Sequence, residues 1–464
     1  MTKPAFKLAL SRFTANYGML FVLILIVAAF SLATIKEQPV EGSFAGESLA
    51  RDFLASHDQG RCMLVTGTSG DETRLAQGFN RVMAEHSDRV LAVVAGDTPP
   101  ELRTSIVTAL ENTDGAVAAL ICSRTTSAYT FFETIPALEH VPISVPIATK
   151  RSSFLKPSNL ANVPQKMARM AIIAIGMTMV IITAGIDLSV GSLLAVSAIA
   201  STLLIRNFGG EEASTGMVLL AFTGGILLCG LMGSISGLLT TAFRMPAFIA
   251  TLAMMLVARG LAKAMAHNEI IIGMPTDILA SLWNVTIPGT STTVLSPVVI
   301  MIVLYAIAHF VMTKTILGRH IYAIGGNEEA ARLSGVPVQR VLLTVYTITG
   351  LLAGIAGVMM ATEFKSGKSV WGVSLELDVI AAVVVGGTSL MGGQGRILGT
   401  LIGCAIIVVI RNGMNLLSLA DYMQMIVMGC VIVLAIVVDK AKKGEIAWLN
   451  VDRFTRSKKK EPPA

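Results

Sequence analysis

Long apolar stretches follow one another along most of this chain and leave it few folds to choose from. They lie near 165–185, 188–206, 216–242, 247–265, 293–313, 341–362, 376–391, 395–412 and 421–438, and an uncharged run, Gly18–Ile35, precedes them. A stretch of about 20 apolar residues spans the hydrocarbon of a bilayer as a helix. Lipid offers the main chain no hydrogen-bond partner, so only helices and closed barrels survive there. Composition agrees: charged residues are 14% of the 464, against 53% apolar. A soluble protein carries about 25% charged residues, so a wholly water-soluble enzyme is excluded, and so is a disordered chain. The 42 glycines follow no collagen period and suit close helix packing in lipid.

Between Lys36 and about Asn159 the character changes, and charges and prolines appear. Cys62–Thr66, Val90–Ala95 and Ala116–Ser123 read as strands; Asp71–His86 and Pro99–Asn112 read as helices, and Thr126–Glu139 as a weaker one. Val141–Ile147 is apolar, but Pro142 and Pro146 demote it to an edge strand or a linker. Alternating strands and helices predict βαβ units on a parallel sheet, and roughly 120 residues suffice for one small domain. The expected fold is therefore an all-α polytopic membrane protein of about ten transmembrane helices, with an inserted α/β extracytoplasmic domain. Its parts are 1–35 (cytoplasmic N-terminus and first helix), 36–159 (insert), 160–439 (helical bundle) and 440–464 (basic tail). The first apolar run is longer than the roughly 7–15 residues of a signal h-region and lacks a small-x-small cleavage site, so it reads as an uncleaved helix.

Charge sets the expected orientation, because Lys and Arg favour cytoplasmic loops. Lys3, Lys7 and Arg12 precede the first helix. With the N-terminus inside, loop 314–340 (Lys314, Arg319, Arg332, Arg340), Arg244, Arg396 and the tail with Lys440, Lys442, Lys443 and Lys458–Lys460 also fall inside. The insert and loop 266–292 fall outside. Lys36, Arg206, Lys263, Lys365, Lys368 and Arg411 run against the bias. The net charge of +6 thus reads as membrane orientation rather than nucleic-acid binding. Cys62, Cys122, Cys229, Cys404 and Cys430 form no CxxC pair, which signals neither a disulfide framework nor a metal site; Cys62 and Cys122 read as two separate buried thiols.

Four segments carry the candidate chemistry. Gly185-Ile-Asp-Leu-Ser-Val-Gly-Ser192 interrupts two apolar spans, and an ionisable residue at such a break is a functional candidate by default. Asp187 either N-caps a helix from 188 or meets a ligand; Ser189 or Ser192 is an alternative cap. In the loop Tyr322–Gly335, Asn327 reads as an N-cap, Glu328 and Glu329 as a first turn, Ala330, Ala331, Arg332 and Leu333 as a short helix, and Gly335 as its stop. A short helix outside the bilayer either docks in a partner's groove or lies on headgroups. Gly386–Gly399 is glycine-rich but lacks the G-x-x-x-x-G-K-[ST] spacing, as does Gly67-Thr-Ser-Gly70, so no nucleotide site is expected. Glu376 and Asp378 open an apolar helix, where carboxylates are favourable. Arg259, within a span, snorkels or pairs with a carboxylate. No acid–base pair facing a cleft is discernible.

These motifs, in this order, resemble the permease subunit of bacterial sugar ABC importers of the ribose/xylose/galactose type. The resemblance runs through Ser158-Asn-Leu-Ala-Asn162, Ala174-Ile-Gly-Met-Thr178, Gly185–Ser192, Pro246-Ala-Phe-Ile-Ala-Thr-Leu252, Ala258-Arg-Gly-Leu-Ala262 and Gly318-Arg-His-Ile-Tyr-Ala-Ile-Gly-Gly-Asn327. It continues through Ala330–Gly335, Glu376–Ala382, Gly386–Leu390 and Asn412-Gly-Met-Asn-Leu416. Ala184, Ala247 and Ala253 stand where the family usually has Gly, Pro and Gly. The resemblance implies a non-enzymatic subunit of the bacterial inner membrane, with both termini cytoplasmic and no cofactor. It would pair as a homodimer or permease heterodimer, sit on cognate ABC ATPase subunits and receive solute from a periplasmic sugar-binding protein. Gly326, Asn327, Glu328, Ala330, Ala331, Arg332, Leu333, Ser334 and Gly335 match the segment expected to couple to the ATPase. Asp187, Ser189, Phe248, Thr251 and Asp378 are its translocation-pathway candidates.

The insert departs from the family, whose members have only a short loop there. Gly60–Pro146 resembles part of a periplasmic sugar-binding protein, with Asp97 and Asp114 at strand or turn edges as its ligand candidates or as plain turn residues. Two other functions compete with import of a monosaccharide or similar small polar solute. A receptor sensing through the insert would carry an inside output domain, and only a short basic tail follows Asp439. An ion-coupled transporter acting alone would want an intramembrane acid relay, for which Asp187 is a single candidate.

Overall fold

A computed structural model describes residues 3–39, 42–57, 59–112, 116–146, 148–286 and 293–442. The chain divides into two compact units: Thr34–Ser153 is one, and Met1–Ala33 with Phe154–Ala464 is the other.

Helix α1 (Lys3–Ala33) leads to strand β1 (Ile35–Pro39), the first element of the smaller unit. Next comes α2 (Gly42–Ser56), which the sequence reading did not anticipate. Its Ala45, Leu49, Ala50 and Phe53 are buried at helical spacing. It lies against α3 (Gly70–Met83), which follows β2 (Arg61–Thr66); a Cβ at Gly46 would strike the backbone of Leu75 and Phe79. A 3₁₀ turn (Ala84–Arg89), β3 (Val90–Ala95), α4 (Pro99–Glu111), β4 (Val117–Cys122), α5 (Arg124–Ser127), β5 (Ile143–Ser144) and β6 (Ala148–Ser152) complete the unit.

The main sheet is parallel, in the order β3-β2-β4-β5. Side chains alternate across it. Cys62 and Leu64 join the core under α2 and α3, while Met63, Val65 and Cys122 join the opposite core with Leu102 and Ile106. Cys62 and Cys122 therefore face opposite sides of one sheet, both free, and burial pushes each thiol up to about 12. The expected helix Thr126–Glu139 does not form as one element. Ser123 Oγ accepts the Thr126 N–H and caps α5, Thr126 Oγ1 reaches Val65 O at 2.9 Å, and Pro136 biases Ile135 away from helix, leaving only a 3₁₀ turn at Thr130–Thr134. A separate antiparallel stem joins β1 to β6, with Ile35 opposite Ser152.

The larger unit continues with α6 (Pro157–Ile182), α7 (Val190–Asn207), α8 (Thr215–Thr241), α9 (Ala247–Ala266), α10 (Thr276–Trp283), the hairpin β7 (Asn284–Thr286) and β8 (Thr293–Leu295), and α11 (Ser296–Lys314). It ends with α12 (Ile316–Gly326), α13 (Glu328–Leu333), α14 (Val338–Phe364), α15 (Leu375–Val385), α16 (Ile397–Leu416) and α17 (Asp421–Lys442). Among the described residues, seven helices, α6, α7, α8, α9, α11, α14 and α16, are long and apolar enough to cross a membrane; Gly18–Ala33 of α1 and Asp421–Leu434 of α17 are shorter apolar segments. The expected span 376–391 holds a helix of 11 residues, because Gly387 at φ +87° turns the chain. Helix α14 packs against α6, α7 and α8. It meets α8 through Gly233 and Gly350, where small residues let the backbones approach.

Candidate functional site

Helix α6 ends at Ile182 and α7 begins at Val190. Ala184 carries the chain through the left-handed region at φ +61°. Asp187 is fully buried in the resulting break. Its Oδ1 accepts the Ser189 N–H at 2.8 Å and the Ser189 hydroxyl at 2.6 Å, while Oδ2 has no hydrogen-bond partner among the described residues. The helix therefore starts two residues later than an Asp187 cap would place it. Ser189 occupies the cap position, yet its hydroxyl is engaged by Asp187 and does not cap the helix itself.

Broken helices leave main-chain groups without partners, and Thr251 of α9 supplies some. Its hydroxyl accepts the Leu188 N–H at 3.2 Å and lies 3.0 Å from Ile186 O and 2.9 Å from Ala247 O. Asp187, Ser189 and Thr251 thus form one cluster. Phe248, one turn before Thr251, is 53% exposed. Asp378 stands elsewhere, paired with Arg411 of α16 at 2.5 Å. Arg259 donates to Ser369 O and Trp371 O, both at 2.6 Å, and so holds the loop before α15, and its charge is felt by the Glu376 carboxylate.

The other site is the α12–α13 elbow. Asn327 Oδ1 accepts the Ala330 N–H at 2.9 Å and caps α13, and Glu328 and Glu329 form its first turn. Arg332 meets both carboxylate oxygens of Glu329 at 2.7 and 2.8 Å, Ser334 Oγ donates to Ala330 O at 2.8 Å, and Gly335 stops the helix at φ +84°. Ala331 is buried, whereas Leu333 is 79% exposed. Gly326 has open space where a Cβ would stand.

Elbow and break are neighbours, which the sequence did not reveal. A Cβ at Gly325 would strike the carbonyl of Ile182, and that carbonyl accepts the Gly393 N–H at 2.8 Å. A cavity of about 560 Å³ lies between Thr183–Gly185, Arg244–Ala247, Glu328, Glu329, Arg332 and Tyr346. The glycine-rich segment Gly386–Gly399 is thus one wall of the joint between the two sites, with Gly392 and Gly393 against Ala184 and Gly325.

In the insert, Asp97 follows β3 and accepts the Thr68 N–H at 2.9 Å and the Thr68 hydroxyl. These bonds hold its carboxyl below the usual range. Ser123 donates to Glu72 at 2.6 Å, so the loops after β2, β3 and β4 are tied together. Asp114 lies outside the described residues.

Residues 159–436 match the family described as branched-chain amino acid transport system / permease component. The chain is 41% identical over 297 residues to the ribose import permease protein RbsC of Escherichia coli (strain K12), covering 64% of this chain and 90% of that protein. It is 34% identical over 292 residues to the L-arabinose ABC transporter permease protein AraH of Azospirillum brasilense, covering 63% and 83%. It is 33% identical over 287 residues to the D-allose transport system permease protein AlsC of Escherichia coli (strain K12), covering 62% and 85%. No solved structure matches.

Proposed function

The chain belongs to the family of branched-chain amino acid transport system / permease components, and from that membership we propose that it is the membrane-spanning subunit of an ABC importer for a monosaccharide or similar small polar solute. One observation carries the choice of solute class: the match extends over 90% of a ribose import permease, and the L-arabinose and D-allose permeases are matched likewise. ATP hydrolysis belongs to separate ATPase subunits, and a periplasmic sugar-binding protein delivers the solute. The subunit pairs with a second permease, identical or related, in the inner membrane.

In this reading the seven long helices are joined by Gly18–Ala33, the α15 segment and Asp421–Leu434 to give ten crossings. Both termini and the elbow face the cytoplasm, where Lys and Arg concentrate, and the insert faces the periplasm. Helix α13 seats in the ATPase, with exposed Leu333 as its apolar contact. Gly325 transmits its displacement to the end of α6, and the Asp187–Ser189–Thr251 cluster responds on the solute path beside Phe248. The insert is a tethered lobe that holds solute or binding protein at the outer mouth, with Asp97 among its contacts.

Uptake of a sugar panel by vesicles containing the permease, with and without its ATPase, tests the proposal. Import of one sugar that needs the ATPase and stops with vanadate is expected. Accumulation by the permease alone would overturn it and favour an ion-coupled carrier.

A further inference from the structure

Five ionisable side chains converge where apolar helices meet, away from both the break and the elbow: Lys166 and Arg169 on α6, Glu363 on α14, Asp378 on α15 and Arg411 on α16. Lys166 is exposed and the Arg411 side chain is 42% exposed, so part of this cluster is open to solvent. Four of them, Lys166, Arg169, Asp378 and Arg411, line a cavity of about 290 Å³ with Asn412 and Asn415 over an apolar floor.

The charges do not balance. Arg169 pairs with Glu363 and Arg411 with Asp378, which leaves Lys166 without a carboxylate partner among the described residues. Its ammonium reaches only the amide oxygen of Asn412, at a long 3.4 Å. Arg411 meanwhile has a buried Nε–H with no acceptor among the described residues. The excess positive charge on this cavity, beside a guanidinium that is not fully hydrogen-bonded, is answered by an acceptor-only group of charge −1. The side-chain amides already cross-brace the walls: Asn412 donates to Asn159 at 2.8 Å and Asn415 accepts from Gln424 at 2.9 Å. The cavity is thus held open and not closed by its own polar groups.

We propose that this cavity binds a singly charged oxyanion, a carboxylate or phosphate diester, with Lys166 and Arg411 as its donors. The anion comes either from a free polyol acid or phosphate or from a lipid headgroup. The inference rests on the bundle alone and holds whether or not the ATPase-coupling proposal does.

Binding to the full-length protein decides it. In phosphatidylcholine nanodiscs, D-gluconate and the diester glycerophosphoglycerol are titrated; in a second arm, phosphatidylglycerol retained through exchange into phosphatidylcholine is quantified by mass spectrometry. Binding of a free anion, weakened about tenfold by Lys166→Gln and kept by Lys166→Arg, identifies a solute site; tenfold is the loss of one charge-assisted bond of about 1.4 kcal/mol. Retained phosphatidylglycerol that Lys166→Gln releases identifies a headgroup site. Asn415→Asp, which adds a negative charge to the wall while keeping the acceptor for Gln424, weakens binding in either case and carries the test if Lys166→Gln does not fold. The proposal fails if neither probe binds, or if a folded Lys166→Gln or Asn415→Asp protein binds as the unaltered chain does.

Discussion

Ala184 holds φ +61°, a conformation that costs an L-residue about 1–2 kcal/mol. The family resemblance puts glycine at this position, and the geometry supplies the reason. Ala184→Gly removes the strain and returns part of the gain as unfolded-chain entropy, so a net stabilisation of about 0.5–1 kcal/mol is expected. A raised thermal midpoint in detergent checks it; a lowered one contradicts the strain. Asp97 offers a test in water. Its folded carboxyl titrates below the ordinary value of 3.8 because Thr68 donates two bonds to the ionised form. A depressed folded value stabilises above the unfolded pKa and is lost as pH falls through the folded one. Hydrogen exchange at the Thr68 amide, corrected for its intrinsic rate, should therefore stay slow from neutral pH down to about 3.8 and accelerate only below. In Asp97→Asn that acid-dependent step should vanish. Loss of protection already near neutrality would refute this sign.

The elbow was legible because everything that makes it is local: cap, acidic turn, small residues and terminal glycine all fall within Asn327–Gly335. The long spans were legible for a similar reason, since hydropathy integrates over about 20 residues. Elsewhere tertiary context decides, and local sequence carries no sign of it. Apolar character persists through α15 into Gly386 and Gly387, and only the turn at Gly387 separates an 11-residue helix from a full span. Helix α2 is too weakly apolar to stand out until α3 covers Leu49 and Phe53. The Arg411–Asp378 and Arg169–Glu363 pairs join residues far apart in sequence, so no spacing rule reveals them, although Arg411 had already run against the charge bias. Helix α13 has six residues and depends on one side-chain cap, worth about 1 kcal/mol. Asn327→Ala should fray it, cutting ATP-driven uptake severalfold while the thermal midpoint of the chain stays nearly unchanged, because α13 buries only Ala331. Asn327→Asp, which keeps the acceptor, should restore uptake. Equal uptake by all three chains would remove α13 from the coupling step.

At the scale of the whole molecule, the question is why a bundle of apolar helices carries an α/β unit near its beginning. Thr34–Ser153 has its own sheet and two cores, and its ends meet: Ser153 N–H donates to Thr34 O at 3.0 Å, and the hydroxyls of Thr34 and Ser152 lie 3.1 Å apart. Insertion at closely spaced ends leaves the host chain undisturbed, so joining Thr34 directly to Ser153 excises the unit without stretching what remains. The bundle keeps its buried cluster from Ala168 to Met428 and should fold and insert as before. If the unit serves as a tethered lobe, the shortened chain should still transport at saturating solute, but half-saturation should move to higher concentration and retention of the binding protein should weaken. A structural spacer predicts neither change. Uptake measured over a range of solute concentrations, with pull-down of the binding protein alongside, separates the two: unchanged half-saturation with unchanged retention would leave the insert no role in delivery.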